Sequence, residues 1–174
     1  MKRDCSLWQM GGFSFTALGG TLLHYLYDWT DRSVFIAPFS GVNESTFEHM
    51  KLLFWPMFLF ALVERRFFSG DESFWCVKLV GAFTGLTAIP VLFYTYNGAI
   101  GKSPDWLNIS FFFIAAAVAF IVETRLLKKY RPPCVNSRFC FWVLCAMGFL
   151  FAVLTFWPPQ VGLFEDPLTG KYGI

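Results

Sequence analysis

Two short polar clusters carry the residues that could do acid–base or metal chemistry in an otherwise apolar chain. The first contains His24 and Asp28, an imidazole and a carboxylate that are four residues apart and would share one face of a helix. Such a pair can act as a base with its orienting acid or as two metal ligands, or it can be a hydrogen-bonded pair at a helix end. Ionisable groups within a membrane are costly unless they are used, so a functional role deserves testing.

The second cluster combines an amide, two carboxylates, an imidazole and an ammonium, supplied by Asn43, Glu44, Glu48, His49 and Lys51. A competing interpretation is a capping box, in which Ser45 and Glu48 tie off the first backbone donors of a helix. That box does not account for Lys51, because a cation in the first turns opposes the helix dipole and needs an anion nearby. We expect the long Lys51 side chain to snorkel back to the outer surface.

The two clusters would lie at the same depth if each belongs to a spanning helix and both helices end on the outer side. We therefore predict one outward-facing polar pocket whose ligand- or ion-binding residues are His24, Asp28, Asn43, Glu44, Glu48, His49 and Lys51. Imidazole and carboxylate suit zinc, iron or manganese. The candidate ligands for such a divalent metal ion are His24, Asp28, Glu44, Glu48 and His49.

The composition is that of an integral membrane protein. Hydrophobic residues make up 56% of the chain, and its mean hydropathy is +0.51. The net charge of +2 is small, and the basic residues occur in pairs at the ends of apolar segments. This pattern argues against a nucleic-acid partner. The five cysteines show no CxxC spacing, so we expect packed or lipid-facing thiols and neither a disulfide framework nor a zinc knuckle.

Five apolar stretches have about the length that a membrane-spanning helix needs. They predict an all-α helical bundle in a single domain, 1–174, with spans at about 8–28, 46–64, 74–96, 106–124 and 139–157. Gly12 and Gly19 in the first stretch would allow a close helix neighbour. Glu123 near the end of the fourth stretch is interpreted as solvated or locally paired. Turn residues in the tail, 158–174, predict an ordered outer segment that is either a lid over the clusters or a free extension.

The placement of lysine and arginine predicts the orientation. In a five-span arrangement ten basic residues fall on one side and four on the other, which predicts the amino terminus inside and the carboxyl terminus outside. The ten are Lys2, Arg3, Arg65, Arg66, Lys78, Arg125, Lys128, Lys129, Arg131 and Arg138, and the four are Arg32, Lys51, Lys102 and Lys171.

Three segments together resemble a family of small bacterial membrane proteins that is catalogued only as a domain of unknown function. They are residues 23–28, residues 43–56 and the tail from Pro158 to Gly173. The resemblance covers most of the chain and implies five helices and a bacterial inner (plasma) membrane location. It implies no activity.

The chain is also similar to the membrane hydrolases related to alkaline ceramidase, in having intramembrane His, Asp, Glu and Ser of the types that surround zinc there. It departs from them in having five predicted spans instead of seven, two histidines and no late HxxxH. The likeness is therefore one of residue types.

Three functions remain open. The favoured one is binding or translocation of a small ion or polar solute, as a possible homo-oligomer surrounded by lipid. The alternative is a metal-dependent hydrolase or transferase that acts on lipid at the outer leaflet, with Glu44 or Glu48 as general base. The third is a structural or signalling subunit. Translocation predicts a continuous polar path, the enzyme predicts a closed pocket, and the subunit predicts no pocket.

Overall fold

The computed structural model describes residues 2–68, 70–128, 134 and 136–174, with the backbone alone at 2–4 and 105. It confirms the all-α prediction. The helices are α1 Lys2–Trp29, α2 Thr46–Glu64, α3 Phe74–Ala99, α4 Asp105–Lys128 and α5 Ser137–Phe156. In the orientation argument, Lys129 and Arg131 lie outside the described residues, and so do the side chains of Lys2 and Arg3.

Four of the described helices, α2 to α5, are long and apolar enough to cross a membrane. Large apolar side chains are exposed around the bundle, such as Phe83 and Phe149, as expected for helices that contact lipid. Helix α1 does not meet the same criterion, because glycines and polar residues interrupt its apolar sequence. The chain is thus consistent with a multi-pass membrane protein, while the fifth span and the orientation stay predictions.

Glycines on α1 let it pack closely against α2 and α4, as the sequence predicted. A Cβ atom added at Gly19 would lie 3.1 Å from Pro56 of α2. A Cβ atom at Gly20 would lie 3.0 Å from the carbonyl oxygen of Leu52 and would collide with the ring of Phe112 on α4. Helix α1 therefore crosses α2 at a distance that a side chain at Gly20 would not allow.

The bundle has two ends that differ in their polar groups. At one end, here named the pocket end because the two polar clusters lie there, α1, α3 and α5 finish and α2 and α4 begin. At the opposite end α1, α3 and α5 begin and α2 and α4 finish. The tail packs at the pocket end, where Phe164 is buried against Phe47 with ring centroids 4.4 Å apart. The backbone N–H of Phe47 also donates to the carbonyl oxygen of Leu163 at 3.0 Å.

The prediction for the cysteines is wrong for Cys76 and Cys134, which form a disulfide. The two residues are 58 positions apart, so no spacing motif reveals the pair. They meet because α3 begins at the end of the bundle where α4 ends and α5 begins. The sulfur of Cys140, at the start of α5, lies 2.9 Å from the sulfur of Cys76.

Candidate functional site

Three of the predicted metal ligands converge at the pocket end. The Nε2 atom of His24 on α1 lies 3.4 Å from one carboxylate oxygen of Glu44, and the Nε2 atom of His49 on α2 lies 3.8 Å from the other. One ligating atom from each residue can be chosen so that all three are within 4.8 Å of one another. Zinc–nitrogen bonds of about 2.0–2.1 Å put two tetrahedral ligands about 3.4 Å apart, so small side-chain adjustments would bring all three atoms onto one ion.

The orientation of His49 suits metal binding. Its Nδ1 atom lies 2.9 Å from the carbonyl oxygen of Ser45, one helical turn earlier. A ring that donates from Nδ1 to a carbonyl keeps its lone pair on Nε2, which is the nitrogen nearest to Glu44. The side chains of His24, Glu44 and His49 are 28%, 42% and 16% exposed, so an ion could reach all three.

The segment between α1 and α2 brings Glu44 back onto His24. The Ser40 hydroxyl accepts from the backbone N–H of Tyr27 at 2.9 Å and donates to the carbonyl oxygen of Leu23, and the N–H of Gly41 donates to the same carbonyl at 3.2 Å. These bonds seat the segment on both sides of His24 along α1. No local sequence pattern identifies Ser40 as a positioning residue, because its partners are 13 and 17 residues away.

Glu48 and Lys51 form a buried ion pair beneath this segment instead of facing the pocket. The Lys51 ammonium donates to Glu48 at 2.6 Å, to the carbonyl oxygen of Ala37 at 2.8 Å and to the Thr155 hydroxyl of α5 at 2.9 Å. Lys51 is fully buried, so the prediction that it snorkels to the surface is wrong. Ala37 and Thr155, which the sequence did not identify as its neighbours, contact the ammonium of Lys51. Glu48 supplies the anion that Lys51 needs.

The capping box is present only in part. The Ser45 hydroxyl accepts from the backbone N–H of Glu48 at 3.3 Å. The reciprocal bond is replaced, because the side-chain oxygen of Asn43 accepts from the N–H of Ser45 at 2.9 Å. The Glu48 carboxylate is then available to accept from the N–H of Val42 at 3.0 Å.

Asp28 and Asn43 lie away from the three converging ligands. Asp28 contacts Arg32 at 3.5 Å, and both side chains are largely exposed. The turn after α1 places them together, because Asp31 and Arg32 adopt left-handed backbone conformations with φ of 53° and 57°. The Asn43 amide donates to the carbonyl oxygen of Gly173 at 3.0 Å, so it fastens the tail.

A cavity of about 320 Å³ opens beside the three ligands. His24, Glu44 and His49 line it on one side, while the apolar wall includes Phe93 of α3 and Phe112 of α4. Binding sites for small molecules have volumes from about 300 Å³ upward and combine apolar walls with a few polar groups. This cavity has room for a small ligand or for part of a larger amphiphile.

The turn between α3 and α4 supplies the remaining polar wall. Ser103 donates from its hydroxyl to Asn108 at 2.6 Å and from its backbone N–H to Asn97 at 2.9 Å. The adjacent Lys102 lines the same cavity. Lys102 was not among the predicted site residues and entered only the charge balance. The sequence signal that could have identified Lys102 is its position directly after Gly101, a glycine turn with φ of 113°.

The tail forms the last wall, through Pro167 and Leu168. Its fold is held by an isolated antiparallel bridge between Glu165 and Tyr172. The Tyr172 phenol donates to the Glu165 carboxylate at 3.1 Å, and this hydrogen bond raises the pKa of the phenol above its ordinary value of 10.0. Tail residues therefore line the cavity together with four helices and the two connections α1–α2 and α3–α4.

A family model described as a family of unknown function (DUF6512) matches residues 2–174. No curated protein and no solved structure matches the chain. The match agrees with the resemblance noted from the sequence and adds no activity to it.

Proposed function

Because the chain belongs to this family of unknown function, we propose its role from its own site: a membrane protein that binds a divalent metal ion and presents it to an amphiphilic molecule. The ligands are His24, Glu44 and His49. The observation that carries the proposal is the convergence of these three groups, from α1, the connecting segment and α2, on the wall of one cavity.

The chemistry of the three groups supports a catalytic metal more than a structural one. Two imidazoles and one carboxylate leave a fourth tetrahedral position for water or substrate, as in zinc hydrolases. Structural zinc sites are closed by four protein ligands. The partial exposure of all three side chains agrees with an open position.

The rest of the cavity indicates what kind of molecule would reach that position. Lys102 would attract an anionic head group, and Phe93 and Phe112 would contact an apolar chain. A lipid-like molecule with a phosphate or carboxylate head meets both conditions. The proposed reaction class is metal-assisted hydrolysis or group transfer on such a lipid.

Metal analysis of the detergent-purified full chain, never exposed to chelator or nickel resin, tests the metal site. We expect about one zinc, iron or manganese ion per chain in the wild type, and its loss in His24→Ala and His49→Ala. Asp28→Asn is the matched control, because its carboxylate pairs with Arg32 away from the site. A wild type that stays metal-free after incubation with each metal, or equal losses in Asp28→Asn and His49→Ala, would refute the site.

A turnover assay tests the reaction. The metal-loaded protein is reconstituted into vesicles of phosphatidylglycerol or phosphatidylcholine, and products are followed by mass spectrometry. We expect turnover of the anionic lipid that His49→Ala abolishes and that Lys102→Met weakens through KM. Metal binding without turnover of either lipid would limit the function to metal binding.

Translocation of an ion is the second candidate, and charged groups buried at both ends of the bundle favour it. Between those ends the described core is apolar, with Phe54, Leu86 and Ala115 among its members. A translocation path would have to cross this layer or lie between protomers. Zinc flux into proteoliposomes that requires His49 would favour translocation over chemistry at the site.

A further inference from the structure

A second group of charges is buried at the opposite end of the bundle, away from the proposed metal site. Lys78 of α3 lies 2.5 Å from Glu64 of α2 and 2.5 Å from Glu123 of α4. The three residues, here named the Lys78 cluster, are between 0% and 4% exposed. The interpretation of Glu123 as a solvated or locally paired end was therefore wrong, because its partner is 45 residues away.

The charges of the Lys78 cluster do not balance. Two ionised carboxylates and one ammonium carry a net charge of −1. A net charge without solvent is costly in a protein interior, and buried carboxyls commonly take up a proton instead. The described space beside Lys78 and Glu123 is a void of about 10 Å³, which at most one water molecule could occupy. A hydrated counter-ion does not fit there.

Among the side chains that the structure describes, neighbouring helices offer no further cation inside the cluster. From α1, Gln9 and the Cys5 thiol face it, and neither is cationic. Arg65, after α2, lies over the Phe74 ring and donates to backbone carbonyl oxygens. From α5, the apolar Leu144 lines the void. Lys128 of α4 donates to Ser6 at the exposed rim.

Gln9 of α1 also contacts the Lys78 cluster. Its Nε2 atom lies 2.6 Å from Glu64, while its Oε1 atom is buried and has no hydrogen-bond partner among the described residues. The two ends of an amide have nearly the same shape. In either orientation this amide is uncharged, so Gln9 does not balance the cluster.

We propose that the Lys78 cluster is a proton-binding site that holds one proton on its two carboxyls and so becomes neutral. The proton belongs to the coupled pair rather than to one carboxyl. Gly81 leaves room for the Glu123 side chain, because a Cβ atom at Gly81 would collide with it. The site would take up and release a proton at the end of the bundle opposite the metal site.

Infrared spectroscopy of the full chain in detergent tests the proposal directly. At neutral pH the wild type should show the carbonyl band of a protonated, buried carboxyl. Glu123→Gln should remove it, because the remaining Glu64 and Lys78 form a balanced pair. Glu72→Gln is the matched control, since Glu72 is exposed near the same end. A wild type without the band would overturn the proposal, and so would a band that Glu123→Gln and Glu64→Gln both leave unchanged.

The pH dependence of unfolding provides a second measurement. A glutamate in the unfolded chain is ionised at neutral pH, so the folded protein would hold one proton more than the unfolded protein. Stability must then fall as the pH rises, and the unfolding equilibrium constant should grow about tenfold per pH unit until the folded site releases the proton. Glu123→Gln should lose this dependence, whereas the histidines at the pocket end contribute equally to both proteins. Equal slopes in the two proteins would contradict the inference.

Discussion

Replacing Lys51 with methionine should destabilise the protein more than any surface change. The substitution keeps an unbranched apolar side chain but removes an ammonium that is fully buried and donates to three acceptors. It leaves the Glu48 carboxylate, which is 2% exposed, with the N–H of Val42 as its one donor among the described residues. Removing one partner of a buried ion pair costs about 3–5 kcal/mol, because the other charge stays uncompensated. We expect a loss of that size in the free energy of unfolding.

The assay is equilibrium unfolding of the detergent-solubilised protein with SDS, followed by tryptophan fluorescence and circular dichroism. Lys171→Met, in the exposed tail, is the matched control and should change stability by less than about 0.5 kcal/mol. The double variant Glu48→Gln with Lys51→Met removes both charges and should cost less than the sum of its two single changes. Additive single changes, or a Lys51→Met protein as stable as Lys171→Met, would refute this account of the pair.

The same substitution should weaken metal binding without touching a ligand. Glu48 holds the N–H of Val42, two residues before Glu44, and Lys51 holds the carbonyl of Ala37 in the same segment. Loosening these bonds would let Glu44 move away from His24. Metal analysis of folded Lys51→Met protein should therefore show a lower affinity than in Lys171→Met, and an unchanged affinity would mean that Glu44 is positioned independently of the pair.

Three other predictions follow from separate contacts. Gly20→Ala should lower the free energy of unfolding by about 1–3 kcal/mol through overpacking. Gly11→Ala, at a position with room for a Cβ atom, should be neutral or slightly stabilising in the same SDS assay. Equal effects of the two substitutions would refute the close helix crossing. Tyr172 should ionise at a higher pH in the wild type than in Glu165→Gln by ultraviolet titration, because its donated hydrogen bond is lost only as the pH rises through the raised pKa; identical titrations would exclude that bond in solution. Thiol titration of denatured, unreduced protein should find three free cysteines and five after reduction, because of the Cys76–Cys134 disulfide; five before reduction would exclude it.

Local patterns in the sequence were sufficient to predict the helices. Long apolar stretches of spanning length, bounded by charged and turn residues, correspond to α2 to α5, which are apolar along most of their length. Helix α1, predicted as a span like the others, is less apolar than α2 to α5, because Gln9, Thr16 and His24 lie on a face that the other helices cover. The sequence does not tell whether a polar residue faces protein or lipid, and that choice decides whether a segment of mixed composition can lie in a membrane.

The site was predictable only where residue type and helical spacing decide it. His49 and His24 are at the pocket end because α1 finishes and α2 begins there. The separation of Glu44 from Glu48 was not predictable, since it depends on Ser40 holding the connecting segment to α1 and on Lys51 of α2 holding the same segment at Ala37. The Lys78 cluster was missed for the same reason, because its members lie on three helices.

The extent to which each polar group is satisfied separates the structural charges from the candidate functional ones. Glu48 and Lys51 form a balanced pair in which every ammonium proton has an acceptor, so a ligand would gain nothing by approaching it. Among the described residues, the Nε2 atom of each histidine at the cavity faces Glu44, at a distance longer than that of a good hydrogen bond. A metal ion would shorten these contacts and use the lone pairs. Substitutions in the balanced pair should therefore lower stability first and binding as a consequence, whereas His49→Ala should lower binding with little loss of stability. A His49→Ala protein that unfolds as readily as Lys51→Met would show that the imidazole is a packing residue and would contradict the assignment of the metal site.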